Sequence, residues 1–164
     1  MVVVERVGPA HWARARAIRL RALRDAPDAF WSTIEQEAAL DDAVWRQRLE
    51  RREAVTLIGL VDDADVGMAV GAPHHAQPTD AGLYAMWVAP SARGRGVGEA
   101  LISAVVDWAC AAGHPRLRLD VADANPHAVG LYERMGFAPT GVTYRFPPPR
   151  DHIVEHERAL DLRS

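Results

Sequence analysis

The sequence predicts an α+β fold: a twisted mixed β-sheet with helices on both faces. Three observations point to it. Short β-branched or alternating apolar runs recur from Val2 to Leu162 and read as strands. Stretches with helical apolar spacing interrupt them, most clearly between Gly98 and Ala112. The segment 82–122 reads strand, glycine-rich loop, helix, strand, a unit whose two strands lie parallel through a right-handed crossover.

In chain order, Val2 to Val4 is a first strand. Pro9 opens a helix to about Arg24, with Trp12, Ala15, Ile18, Ala22 and Leu23 on one face. Asp25-Ala26-Pro27-Asp28 ends it, and Phe30 to Leu40 is irregular or weakly helical. A second helix, capped by Asp41 or Asp42, runs to about Arg52 with Val44, Trp45 and Leu49 inward. Ala54–Val61 and Val66–Ala72 form a hairpin about the acidic turn 62–65, and Gly82–Val88 follows as a third strand. In the helix 98–112 the inner stripe is Leu101, Val105, Trp108 and Ala112, and Gly113 with Pro115 stops it. Leu117, Leu119 and Val121 alternate in a strand, and Asn125-Pro126 caps a helix that ends near Gly136. Val142–Phe146 and Ile153–Leu162 are the last strands. No internal repeat or linker is visible, and 164 residues fit a single domain, 1–164.

Composition excludes several functions. The 19 basic residues stand against 22 acidic ones, which gives no support to a nucleic-acid binder. All the basic side chains are Arg, so lysine Schiff-base chemistry and a Walker A loop are both closed. Cys110 is the only cysteine, which rules out an internal disulfide or a Cys-based zinc cluster and suits a reducing cytoplasm. The N-terminal residues lack the pattern of a signal peptide, and the longest apolar stretch is too short to span a bilayer, so no membrane partner is expected.

The chemistry concentrates after Val88, where the chain reads Ala-Pro-Ser-Ala-Arg-Gly-Arg-Gly-Val-Gly-Glu. Gly94, Gly96 and Gly98 let the backbone approach a ligand, and N–H groups at the coming helix start can converge on an anion. Arg93 and Arg95 add formal charge, so the expected ligand is a phosphate or pyrophosphate. The dinucleotide pattern G-x-G-x-x-G is not met, because the third glycine comes one residue early.

Arg93-x-x-Gly96-x-Gly98 resembles the Gln/Arg-x-x-Gly-x-Gly/Ala acyl-CoA signature of the GCN5-related N-acetyltransferases, the GNAT superfamily. Met86-Trp87-Val88-Ala89-Pro90 is similar to that family's lead-in strand. The run Asn125-Pro126-His127-Ala128-Val129-Gly130-Leu131-Tyr132-Glu133-Arg134-Met135-Gly136-Phe137 is similar to its N-x-x-A-x-x-L-Y-E-x-x-G-F segment. The resemblance implies the GNAT acyl-CoA N-acyltransferase fold, with acetyl-CoA in a splay between strands 82–88 and 116–122, no metal, and direct transfer to an amine. It implies backbone contacts from Met86 and Val88 to the pantetheine arm, and pyrophosphate contacts from Arg93, Gly94, Arg95, Gly96, Val97 and Gly98. Asn125 would add a bond to the arm. It further implies that Tyr132, a phenol protonated at neutral pH, donates to the departing thiolate. The acceptor is a small molecule or a peptide or protein N-terminus, and a homodimer is compatible with this reading. A non-catalytic acyl-CoA sensor would keep the same loop and fold, and a different nucleotide-binding module is the remaining rival.

Asp120 stands twelve residues before Tyr132, where ribosomal-protein alanine acetyltransferases, which this stretch resembles, carry an acidic base. Glu35 and Glu37, with Asp41 and Asp42, are candidates for an acidic rim at the acceptor site, and Glu155 and Glu157 are further candidates. Cys110 reads as a small core residue, His74-His75 as a solvated loop pair, and Pro147–Pro149 as a stiff turn.

Overall fold

The computed structural model of the protein describes residues 1–163. Its elements are β1 (Val2–Arg6), α1 (Trp12–Asp25), α2 (Ile34–Ala38), α3 (Asp42–Glu50), β2 (Val55–Val61), β3 (Ala64–Pro73), β4 (Ala81–Val88), α4 (Val97–Ala111), β5 (Arg116–Ala122), α5 (Pro126–Arg134), β6 (Ala138–Arg145) and β7 (Val154–Asp161). The strands form one seven-stranded sheet in the order β1-β2-β3-β4-β5-β7-β6. β4 and β5 are the parallel pair and every other neighbour is antiparallel. That follows from connection length: β2 and β3 are joined through Asp62 and Asp63, both at positive φ, whereas β4 reaches β5 only by way of α4. Helices flank the sheet on both sides, α4 over β2 and β3 and α1 against β3 and β4. Among the described residues no helix is long and apolar enough to cross a membrane.

Local chemistry explains where the elements depart from the sequence expectation. Residues 34–38, expected to be at most weakly helical, form a true helix. A reciprocal pair of bonds between Thr33 and Gln36 starts it. β6 begins at Ala138, four residues before the expected Val142, because a register irregularity between Pro139 and Thr143 lets the strand resume pairing with β7. The buried stripe of α4 is Val97, Leu101, Ile102, Val105 and Ala109 rather than one that includes Trp108 and Ala112. Cys110, expected in the core, is exposed on the outer face of that helix.

Arg118 closes the near end of the parallel pair. It stands at the last paired register, opposite Gly82. Its guanidinium donates to Asp80 Oδ2 at 2.7 Å and to Glu157 Oε1 at 2.8 Å, clamping β5 between the entry to β4 and the middle of β7. Beyond that clamp the two strands no longer pair.

Glu37 was expected in an acidic rim, and the structure corrects this. Its side chain is 2% exposed, with Arg19 donating to both carboxylate oxygens at 3.1 and 2.7 Å and Arg48 donating to one at 2.8 Å. The carboxylate is a strut joining α1, α2 and α3 and offers no free charge. Burial alone would raise its pKa; the bonds from Arg19 and Arg48 outweigh that and hold it at about 2. A carboxyl depressed in this way contributes stability that is present above its unfolded pKa and is lost as pH falls toward about 2. Glu37→Ala leaves the part-exposed guanidinium groups of Arg19 and Arg48 without their shared acceptor and should lower the free energy of unfolding by about 2 kcal/mol. Urea titration at neutral pH checks this, and the wild-type advantage should shrink when the titration is repeated near pH 3.

Candidate active site

The site begins where strand pairing fails. β4 and β5 pair only through Ala81 with Leu117 and Gly82 with Arg118, then diverge. On its other edge β4 stays with β3, but its register slips: Val70 faces Tyr84 whereas Met68 faces Trp87. β4 therefore carries one extra residue, a bulge, with Ala85 at φ 55°, a conformation that a residue bearing a Cβ rarely adopts. Ala89 N–H bonds back to Val66 at 2.7 Å. Since polar groups alternate along a strand, those of Val88 and Met86 are turned the other way, toward the gap. The Val88 carbonyl is taken by Arg93 Nε at 3.1 Å, which leaves the N–H of Val88 as the group directed into the gap.

The same strand leads into the glycine loop. Gly94 and Gly96 sit at φ 77° and 86°, in the left-handed region, and Gly96 caps α4. The first backbone bond of the helix runs from Ala100 N–H to the Gly96 carbonyl at 3.1 Å. The N–H groups of Val97, Gly98 and Glu99 therefore stand at the helix mouth, where the dipole favours an anion. Gly98 is needed for a different reason: a Cβ there would lie 2.9 Å from Leu131 Cδ2, so it is the contact that lets α5 rest on the start of α4.

The two loop arginines differ. Arg95 is exposed at the loop. Arg93 instead reaches across to α1: its Nη2 donates to Asp25 Oδ2 at 3.0 Å, and Trp87 Nε1 donates to the same oxygen at 2.9 Å. Asp25, the last residue of α1, thus ties the end of β4 to the loop. Arg93, expected at the pyrophosphate, also shapes the loop through this contact. Only the fold brings together partners 68 residues apart.

On the far side of the gap, Asn125 caps α5 by accepting from Ala128 N–H at 3.2 Å. Tyr132, two turns on, is 6% exposed and packs edge-to-face on Phe137 at 5.9 Å. Burial, and then the charge of Glu155, raises the pKa of its phenol above the ordinary value. It remains protonated throughout the physiological range.

A group of polar side chains shares one face of β5 and β7. Asp120 faces Glu157 in register, and Glu155 is two residues further on, opposite Ala122. Asp120 Oδ1 is buried and has no hydrogen-bond partner, while Oδ2 lies 3.9 Å from His75 Nε2. Burial first, then the negative charge of Glu157, pushes its carboxyl up to about 6 against an opposing effect of His75. Glu157 is 1% exposed and accepts from Arg118 and from Thr140, both at 2.8 Å. Glu155 is 7% exposed and accepts from Trp31 Nε1 at 2.7 Å. Glu35, also expected at an acidic rim, is exposed on α2.

Of the histidine pair expected to be solvated, His75 is exposed and His74 is buried. His74 is 3% exposed; its Nδ1 accepts from the N–H groups of Ala76 and Gln77, which leaves Nε2 facing Glu157 at 3.5 Å. The backbone N–H of His75 donates to the Tyr84 hydroxyl at 3.0 Å. The turn from β3 to β4 carries the pair back beside β5, a placement no local spacing announces. Trp31, too, was passed over in the sequence: its partner Glu155 is 124 residues away. Among the described residues no group of three or more His, Cys, Asp or Glu is placed to hold a metal ion.

Comparison with known proteins follows the same outline. The model of the acetyltransferase (GNAT) family matches residues 20–137. A mycothiol acetyltransferase of Beutenbergia cavernae is 30% identical over 135 residues, covering 81% of this chain and 43% of the relative. The chain spans between 23% and 49% of the length of four curated relatives. A GCN5-related N-acetyltransferase from Kribbella flavida superposes with a TM-score of 0.74 at 25% identity, over 98% of this chain and 97% of the other. A Salmonella typhimurium structure with its cofactor acetyl-CoA superposes at 0.81 over 100% and 95%, with 17% identity, and at that identity the likeness is one of fold. A strand pair that parts beside a glycine-started helix thus coincides with a family match spanning most of the sequence, and the chain belongs to the acetyltransferase (GNAT) family.

Proposed function

We propose that this chain is an N-acetyltransferase that moves the acetyl group of acetyl-CoA directly onto a primary amine. The observation that carries the reading is the early end of β4–β5 pairing, which opens a gap beside backbone N–H groups of β4 and the Asp120 position of β5, with α4 starting after β4 and α5, which carries Tyr132, resting on the start of α4. These residues fit the donor chemically. The helix-start N–H groups of Val97 and Gly98, with Arg95 beside them, suit a diphosphate. Open space at Gly94 and Gly96 leaves the loop backbone approachable. The unpaired edge of β4 at Met86 and Val88 suits the amides of a pantetheine arm. When bound, acetyl-CoA supplies an activated acyl carbon and a thiolate leaving group.

The chain's own groups would do the rest. A backbone N–H of the β4 bulge orients and polarises the acyl oxygen, a role for a fixed dipole in a site with little water. Asp120 accepts the proton that an ammonium must lose before it can attack, directly or through one water. Its raised pKa makes it a better base than an exposed aspartate. Tyr132, held protonated by its burial, donates toward the sulfur as negative charge develops there. Across the reaction an ammonium, R–NH3+, loses two protons: one ends on sulfur and the other leaves through Asp120. Asn125 keeps α5, and with it Tyr132, in place.

Three expectations test this. Tyr132→Phe should lower kcat about 100-fold while acetyl-CoA affinity, measured by calorimetry, stays unchanged; full activity would remove Tyr132 from the mechanism. For the wild type, kcat/KM with an amine should rise with pH through about 6 as Asp120 ionises. Asp120→Asn should lose that limb, and a limb that survives would assign the base elsewhere. Gly96→Asp puts a carboxylate at the helix mouth and should weaken acetyl-CoA binding at least about tenfold with an unaltered circular dichroism spectrum.

A further inference from the structure

The buried acids of this protein fall into two groups. Glu37 is bonded to Arg19 and Arg48, Asp80 to Arg118, and Glu157 to Arg118, each within 3.1 Å. Glu155 is equally deep, at 7% exposure, yet among the described residues its hydrogen-bond donor is the neutral indole of Trp31. Asp120, diagonal to it across β5 and β7, has among the described residues one buried oxygen with no partner and no basic side chain within 4 Å except the imidazole of His75, at 3.9 Å. A chain with this many arginines pairs its structural acids and leaves these two beside the reactive gap without one. Carboxylates withdrawn from water and left unpaired are costly, so a cation arriving with a ligand has the most to gain here.

Two further features mark the place as a binding site rather than an accident of charge. Tyr132 is 6% exposed, and its phenol is near enough to Glu155 to feel that residue's charge. Trp31 is half exposed, unusual for an indole, and it is held in place. Arg150 donates to the carbonyls of Pro27 and Trp31 at 2.8 and 2.6 Å and stacks on Phe146, whose ring lies 5.8 Å from the indole. Tyr144, opposite Glu155 in register, adds a second aromatic wall.

We propose that Glu155 and Trp31 form a cation subsite beside Asp120 that selects acceptors carrying a second ammonium near the amine to be acetylated. This rests on the acetyl-transfer reading above and specifies its acceptor. One ammonium gives its proton to Asp120 and attacks as the neutral amine. The other keeps its charge, held by the Glu155 carboxylate and the indole face. Diagonal positions on neighbouring strands are about 7–8 Å apart, close to the separation of the nitrogens in a short linear diamine.

The test is steady-state release of coenzyme A thiol with 1-aminopentane, 5-amino-1-pentanol and 1,5-diaminopentane, on the wild type and on Glu155→Gln. The diamine should exceed both monoamines in kcat/KM by at least about tenfold, mostly through KM, as expected for an added charge-assisted contact. Glu155→Gln should bring the three amines level while acetyl-CoA affinity is retained. Trp31→Ala, at a half-exposed position outside the sheet, should reduce the preference as well and serves if the Gln variant folds poorly. Equal use of the three amines by the wild type, or a preference that survives both substitutions, overturns the subsite and leaves acetyl transfer standing. Acetyl-CoA binding with no turnover of any amine overturns the transfer reading, and the subsite with it.

Discussion

β4 and β5 are hydrogen-bonded at two residue pairs, and almost everything about the site follows from their parting after Gly82 and Arg118. A central strand cannot leave its polar groups unsatisfied without cost, so an edge opened in mid-sheet implies something to complete it. The fold sustains the opening from both sides. Arg118, bound to Asp80 and Glu157, holds the joined end closed. Asp25 draws Trp87 and Arg93 toward α1, so that β4 and the loop that follows stay away from β5. The bulge at Ala85 turns the strand between these two restraints. The start of α4 follows the same strand, so that backbone donors from a strand and from a helix mouth are available to a single ligand.

The electrostatics are sorted in the same way. Acids that hold elements together are bonded to guanidinium; those that border the gap are not. Asp120 illustrates the difference. Its carboxyl is raised by withdrawal from water and by Glu157, and it lacks the arginine that depresses Glu37. Proximity to Arg, more than depth of burial, decides whether the pKa of a carboxylate in this protein falls, as at Glu37, or rises, as at Asp120.

Local features were legible in the sequence and distant pairings were not. The glycines before α4, the Asn125-Pro126 start of α5 and the alternation of β5 each depend on neighbours within a few residues, and their signals are plain. The gap itself could be inferred only from the resemblance, since nothing in the composition of residues 82–88 marks where pairing stops. Arg93 looked like a phosphate ligand because a cation among glycines usually is one; its further partner on α1, Asp25, is a contact that the local context does not announce. Glu37 looked like a surface charge because short acidic helices usually face water, and it took the packing of α1 against α3 to bury it. His75 and Trp31 carry no motif, and they matter only because separate turns of the chain bring them to β5 and β7.

The ion pairs that brace this molecule are built from arginine, and the sequence contains no lysine. A guanidinium stays protonated at any physiological pH and has no lone pair free to attack a thioester. A protein that houses an activated acyl donor would otherwise surround it with amines of its own. Here the side chains present no amine of their own, so on the proposed transfer reading none of them competes as an amine with the acceptor for the acyl group.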